Sequence, residues 1–162
     1  MTVWAPRRTG DAGADALILD LEDAVAPGAK PAAREMAAEY LRGKSDVWVR
    51  VNPVDSEYWE ADLDAIVPSR PAGIMLPKPR HARDAVRLPE RIDELEGHHA
   101  IEHGSTRIIA LCTEHPEALF TLHSYVGTVP RLAGLSWGAE DLSAAVGAST
   151  NRDADGNWLS PY

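Results

Sequence analysis

One cysteine and one phenylalanine are all that these 162 residues contain of either type. The single Cys112 excludes an internal disulfide and a cysteine-based zinc site. Basic residues are also scarce, with 16 Lys and Arg against 25 Asp and Glu, for a formal charge of −9. Phosphate binding needs clustered cations, so this balance argues against a nucleic-acid partner. An anionic substrate remains admissible, because it needs only one local cation or a metal. No run of roughly 18 apolar residues occurs, so no membrane span is expected. The N-terminus lacks a charged-then-apolar leader, which makes a cytoplasmic location the default expectation. The hydrophobic (44%) and charged (25%) fractions are those of an ordinary globular chain that buries one core.

Short apolar segments alternate with helical patterns. Strands are expected at Leu17–Glu22, Val47–Asn52, Gly73–Leu76, Arg107–Glu114 and Leu132–Trp137. Each is bounded by Pro, Gly or charge, as buried parallel strands are. Between them, Ala33, Ala37 and Leu41 share a helical face after Pro31. Trp59, Leu63 and Ile66 share another, with Asp55 or Ser56 as the expected N-cap. Ala82, Ala85 and Val86 open a third pattern that Ile92 and Leu95 continue, and Leu119, Leu122 and Val126 form a fourth after Pro116. A short fifth holds Leu142, Ala145 and Val146. Strand–helix alternation of this kind predicts an α/β fold with a parallel sheet.

Charged and polar residues collect at the predicted strand C-termini: Asp20, Glu22 and Asp23; Arg50 and Asn52; Lys78; Glu114; Glu140 and Asp141. Active sites of parallel α/β folds are built at that end. The bland alternative is a set of solvated loop starts. Asp20 and Glu22 point the same way along a strand, and like charges that close call for a cation. Arg50, set among Val and Trp, calls for an acid or an anionic ligand; an internal pair with Glu22 or Asp23 is the structural alternative. Glu114 and Asp141, at consecutive strand ends, could share one hard cation. Asp141 alone reads equally as an acid answering a helix N-terminus. Gly138 permits close backbone approach to a ligand.

Other candidates are weaker. His98, His99 and His103 fall in a polar stretch between Gly97 and Gly104 with no element to fix them as zinc ligands. Asp153–Asn157 reads as a turn rather than a calcium loop, since the bidentate Glu is missing. Cys112 reads as core. Lys78 reads as an exposed loop lysine or a phosphate contact before it reads as a Schiff-base lysine.

Five ordered segments carry a family resemblance: Ala16–Val25, Val49–Asn52, Ile74–Lys78, Thr113–Leu119 and Trp137–Leu142. Together they resemble the citrate lyase β-subunit-like proteins of the HpcH/HpaI aldolase family, over about residues 14 to 162. The resemblance implies a TIM-type (β/α)8 barrel that binds Mg²⁺, with Mn²⁺ as the alternative. It implies cleavage of acyl-CoA esters of malyl, citramalyl or citryl type, with an acyl-CoA and an α-keto acid as substrate partners, in a homo-oligomer. Residue by residue, Glu114 and Asp141 match the metal ligands, and Arg50 the substrate-binding, enolate-stabilising arginine. Glu22 and Asp23 match the acidic pair beside the metal, and Glu114 and Gly138 lie against substrate. Many relatives follow the Glu with Thr-Ala, whereas here His115-Pro116 follows, which marks a divergent subgroup. A closed barrel takes about 250 residues, so residues 1–162 are expected to form one partial barrel of about five strands with open edges, led by an atypical segment over 1–13. The neighbouring readings are a pyruvate aldolase of the HpaI branch and an inactive chain serving as a binding or assembly subunit.

Overall fold

The structure, a computed structural model, describes residues 14–159. Five strands form one sheet: β1 (Leu17–Asp20), β2 (Val47–Arg50), β3 (Gly73–Leu76), β4 (Arg107–Leu111) and β5 (Leu132–Ser136). Their order in the sheet is their order in the chain, and all four pairings are parallel. Helices fill the crossovers: α1 (Lys30–Leu41), α2 (Trp59–Ile66), α3 (Ala82–Ala85) and α4 (Arg87–His98), while α5 (Ala139–Ala145) follows β5. The expected α/β partial barrel of about five strands is therefore what forms. No helix among the described residues is long and apolar enough to cross a membrane.

Period-two alternation sorts the strand residues onto two faces. Leu19, Val47, Val49, Ile74, Leu76, Ile108 and Ala110 join the main core with Leu41, Leu63, Ile66, Leu88 and Ile92 of the helices. The intervening residues form the other face. There the register sets Ile18 beside Trp48, Trp48 beside Gly73, and Gly73 beside Arg107. Gly73 is the small member of this row because the Trp48 ring lies across it. A Cβ at Gly73 would sit 2.3 Å from the Trp48 ring and 2.5 Å from the Arg107 carbonyl oxygen. The Arg107 guanidinium stacks over the same ring at 5.3 Å from its centroid.

Three local expectations are corrected. The segment Pro116–Tyr125 is a 3-10 helix, not an α-helix. At three residues per turn, Leu119, Leu122 and Tyr125 line up. Tyr125 is therefore the buried residue, and Val126, expected inward, is 85% exposed. The helix at Trp59 has Tyr58 at its N-cap position and no side-chain cap. Ser56 instead accepts the Tyr58 N–H at 3.3 Å and donates to the Pro53 carbonyl, and so closes the preceding turn. His98 lies not in a loop but at the last position of α4.

Among the described residues β1 and β5 are the edges of the sheet, as expected. Ile18 on β1 is 49% exposed, and Leu135 on β5 and Trp137 just beyond it are similarly open. A Gly73→Ala variant should lose about 2–3 kcal/mol of stability, because the added methyl meets an aromatic ring and a backbone carbonyl that have little freedom to retreat. Urea unfolding monitored by Trp fluorescence measures this; a loss within 0.5 kcal/mol, the usual range for a neutral substitution, would show that the Trp48 row is loosely packed.

Candidate active site

The last residues of β1 and β2, Asp20 and Arg50, are register partners. The sheet itself therefore sets their side chains together. Arg50 donates from Nε and Nη2 to the two Asp20 oxygens at 2.8 and 2.6 Å. Asp20 also accepts the Glu22 and Ala24 amides, which fixes the turn after β1. Burial pushes the Asp20 carboxyl up, but the Arg50 bond and the Glu22 amide outweigh it and leave Asp20 below the ordinary range. The Asp20 bond raises Arg50 further, so its charge is permanent.

Glu22 is 3% exposed and lies between two cations, with Lys78 Nζ at 2.7 Å and Arg50 Nη1 at 3.1 Å. Neither contact has the angles of a good hydrogen bond, and both Glu22 oxygens lack such a partner. These are charge contacts rather than satisfied bonds, and burial still raises the Glu22 pKa. Lys78 is not the exposed lysine expected from its Pro-Lys-Pro setting. Its side chain is 26% exposed, and Nζ also lies 3.0 Å from Asp23 and 3.6 Å from Asp141. Burial lowers the Lys78 pKa, but the carboxylates of Glu22 and Asp23 beside it outweigh burial and raise it. An amine held charged in this way is no Schiff-base nucleophile.

Glu114 follows β4 and is 3% exposed. Its Oε2 accepts the Lys78 backbone N–H at 2.5 Å. Burial, a hydrogen bond shared with Asp141, and the nearby Glu22 charge push Glu114 up to about 7, against the pull of the Lys78 amide. Asp141 stands in the first turn of α5, whose backbone comes close because residue 138 is glycine. A Cβ there would sit 2.3 Å from Glu114 Cγ. The close approach that Gly138 was expected to give a ligand is thus already used by the Glu114 side chain. Thr113 Oγ1 accepts the Gly138 N–H at 2.8 Å and ties the two strand ends together.

Arg50, Glu22, Asp23, Glu114, Gly138 and Asp141 are therefore neighbours. Asp20 and Lys78 belong with them and were under-read: the first is visible as the register partner of Arg50, the second depends on a backbone turn. Glu140 does not join; it is exposed and pairs with Arg152 and Asn151. The His103 region forms a separate cluster with Asp93 and Glu96, geometrically able to hold a metal. Arg131 already fills it, donating to Glu96 from both Nη atoms and pairing with Asp93. Burial raises Glu96, but Arg131 and the Thr106 and Gly104 amides overcome it and hold the carboxyl at about 2.

Five carboxyl groups (Asp20, Glu22, Asp23, Glu114, Asp141) thus gather around two side-chain cations, Arg50 and Lys78. Glu114 and Asp141 meet through a hydrogen bond that helps hold the Glu114 carboxyl high. A hard divalent cation in the proton's place would be held by two carboxylates, the donor set Mg²⁺ takes along with water or substrate oxygens.

A pH dependence follows. Glu114 titrates higher in the fold than its ordinary value of 4.5. An acid raised in this way favours the fold while protonated, so its contribution is full below the ordinary value and is lost as pH rises through about 7. The metal-free melting temperature should fall between pH 5 and 8, and Glu114→Gln should flatten that fall. Added Mg²⁺, competing with the proton, should raise the melting temperature more at pH 8 than at pH 5. An equal Mg²⁺ effect at both pH values would contradict the shared-proton geometry.

Residues 6–157 match the family model described as HpcH/HpaI aldolase/citrate lyase. The chain is 34% identical to the citrate lyase subunit beta of Haemophilus influenzae over 131 residues, covering 78% of this chain and 45% of that protein. It is 29% identical to the L-malyl-CoA/beta-methylmalyl-CoA lyase of Rhodobacter capsulatus, covering 88% of this chain and 46% of the relative. Among solved structures, protein CitE from Mycobacterium tuberculosis in complex with magnesium, acetoacetate and coenzyme A superposes with a TM-score of 0.72 at 31% identity, over 96% of this chain and 52% of that one. The chain spans about half the length of the curated relatives it matches. With a family model covering nearly its whole length and the sheet of a citrate lyase-like barrel, the chain belongs to the HpcH/HpaI aldolase/citrate lyase family.

Proposed function

We propose that this chain carries the metal-binding wall of a Mg²⁺-dependent carbon–carbon lyase acting on acyl-CoA esters of malyl, citramalyl or citryl type. The observation that carries the reading is the Glu114–Asp141 carboxyl pair, set on the same sheet end as the Arg50 guanidinium. Relatives lend support: from Mycobacterium tuberculosis, a citrate lyase beta subunit is solved with oxaloacetate and magnesium, and protein CitE with magnesium, acetoacetate and coenzyme A. In this reading Glu114 and Asp141 are the metal ligands. Mg²⁺, or Mn²⁺ in its stead, supplies Lewis-acid polarisation of a keto-acid oxygen when bound there.

The chain's own residues do the rest. Asp20 holds Arg50 by two of the five N–H groups of a guanidinium, which leaves donors for an anionic oxygen. Arg50 faces the thioester oxygen, where charge grows as the substrate alcohol gives up its proton to become the keto-acid carbonyl and the carbon–carbon bond breaks. The bond's electron pair passes into the enolate, which takes up a proton to give acetyl-CoA. Glu22 and Asp23 keep Arg50 and Lys78 in place, and Gly138 gives Glu114 its room.

One-sided pairing of β1 and β5 among the described residues favours a second reading, an assembly subunit. Unpaired strand edges invite another chain, and Ile18, Leu135 and Trp137 are exposed beside them.

Incubation with malyl-CoA or citramalyl-CoA and Mg²⁺, with mass followed by light scattering, tests the proposal. Acetyl-CoA and the matching keto acid should appear, and Glu114→Gln should abolish them. Arg50→Lys should lower turnover about tenfold or more, because the bidentate fork is lost, while the melting temperature changes by less than about 5 °C. Mg²⁺ binding and association without turnover would favour the assembly subunit. Unchanged specific activity in Arg50→Lys would remove Arg50 from the site.

A further inference from the structure

Lys78 stands in the middle of the acidic cluster, yet the reading above gives it no chemistry. Its ammonium lies 2.7 Å from Glu22, 3.0 Å from Asp23 and 3.6 Å from Asp141. It therefore touches acids from the ends of β1 and the start of α5, reaching across from the loop after β3. The same residue holds Glu114 by its backbone N–H. To do both it adopts φ of +55°, in the left-handed region that disfavours a residue with a Cβ. Among the described residues three other non-glycine positions, Arg70, Ala100 and Arg131, have positive φ; Lys78 is the one of the four that contacts this cluster. Strain of this kind persists where surrounding contacts over-determine it. Here they do: the amide is fixed by Glu114 and the ammonium by three carboxylates.

We infer that Lys78 is a positioning residue that serves as a built-in countercation, holding the acids together when no metal is present and opposing the divalent cation for Asp141. This rests on the metal reading of Glu114 and Asp141. Without the ammonium, Glu22, Asp23 and Asp141 would repel one another across a few ångströms of partly buried space. With it, the acids are gathered in advance. The cost is electrostatic: a fixed positive charge beside Asp141 weakens the pull of that carboxylate on a second cation. Lys78 thereby sets the Mg²⁺ concentration at which the site fills.

The test uses the 162-residue chain and two variants, with Mg²⁺ titrated by calorimetry near neutral pH and melting followed with and without Mg²⁺. Lys78→Gln keeps the amide and most of the length but loses the charge. Lys78→Gly also loses the charge and removes the backbone strain, so agreement between the two assigns the effect to the ammonium. Both variants should bind Mg²⁺ at least about threefold more tightly than wild type, because a like charge next to the ligand is gone. Lys78→Gln should melt below wild type without metal, and saturating Mg²⁺ should shrink that deficit. A merely structural role predicts the reverse, weaker binding after the cluster is disturbed. Affinity unchanged or reduced in both variants, with wild type binding normally, overturns the role of Lys78 alone. No Mg²⁺ binding by any of the three proteins overturns the metal reading and this inference with it.

Discussion

Negative charge at the carboxyl end of the sheet exceeds the positive charge set against it, and much of the site's geometry is a response to that imbalance. Glu22 and Glu114 are both 3% exposed, where solvent cannot screen them. Burying a carboxylate without a partner is costly, so each must pair, protonate or hold a metal. The first two outcomes are visible side by side. Asp20 pairs with Arg50, Glu22 lies between Arg50 and Lys78, and Glu114, raised by burial, hydrogen-bonds to Asp141. In the last arrangement two carboxyl groups meet with no cation between them, which gives the Glu114–Asp141 pair its chemical meaning.

The acids are kept in place by a buried polar network beneath them. Lys30, 6% exposed, donates to the carbonyls of Leu21 and Glu22 and to Asn52 Oδ1. Asn52 donates to Leu21 and to Asp62, and Arg34 binds Asp62 at 2.7 Å. Every member has a partner, so the network is rigid rather than strained. It anchors the turn after β1 to the end of β2, and therefore fixes where Glu22 begins. Asn52 thus belongs to this foundation rather than to the cluster it was grouped with by position.

How much of this the sequence discloses depends on the distance over which each feature is decided. Strands and most helices are local: apolar runs ended by Pro, Gly or charge suffice, and the sheet formed where they predicted. Parallel order then brought Asp20 to Arg50 and Glu114 to Asp141, so the main site residues were legible from strand ends. The segment after Pro116 was misread because Leu119, Leu122 and Val126 fit an α-helix, while the chain took three residues per turn and buried Tyr125. Lys78 was out of reach, since its role depends on a left-handed φ that no propensity of lysine signals. Arg131 was equally hidden, meeting Glu96 across 35 residues of chain. Nothing short of the fold tells that a guanidinium rather than a metal satisfies the acids beside His103.

The central claim is that one divalent cation replaces the proton between Glu114 and Asp141. Crystals of the chain grown with Mn²⁺ and measured for anomalous scattering test it most directly. The account predicts a single strong peak bound to one oxygen of each carboxylate at roughly 2.0–2.3 Å, the range of a hard divalent ion, with Arg50 on the same side of the sheet. A peak at Asp93 and Glu96, or none between Glu114 and Asp141 at saturating Mn²⁺, would contradict it.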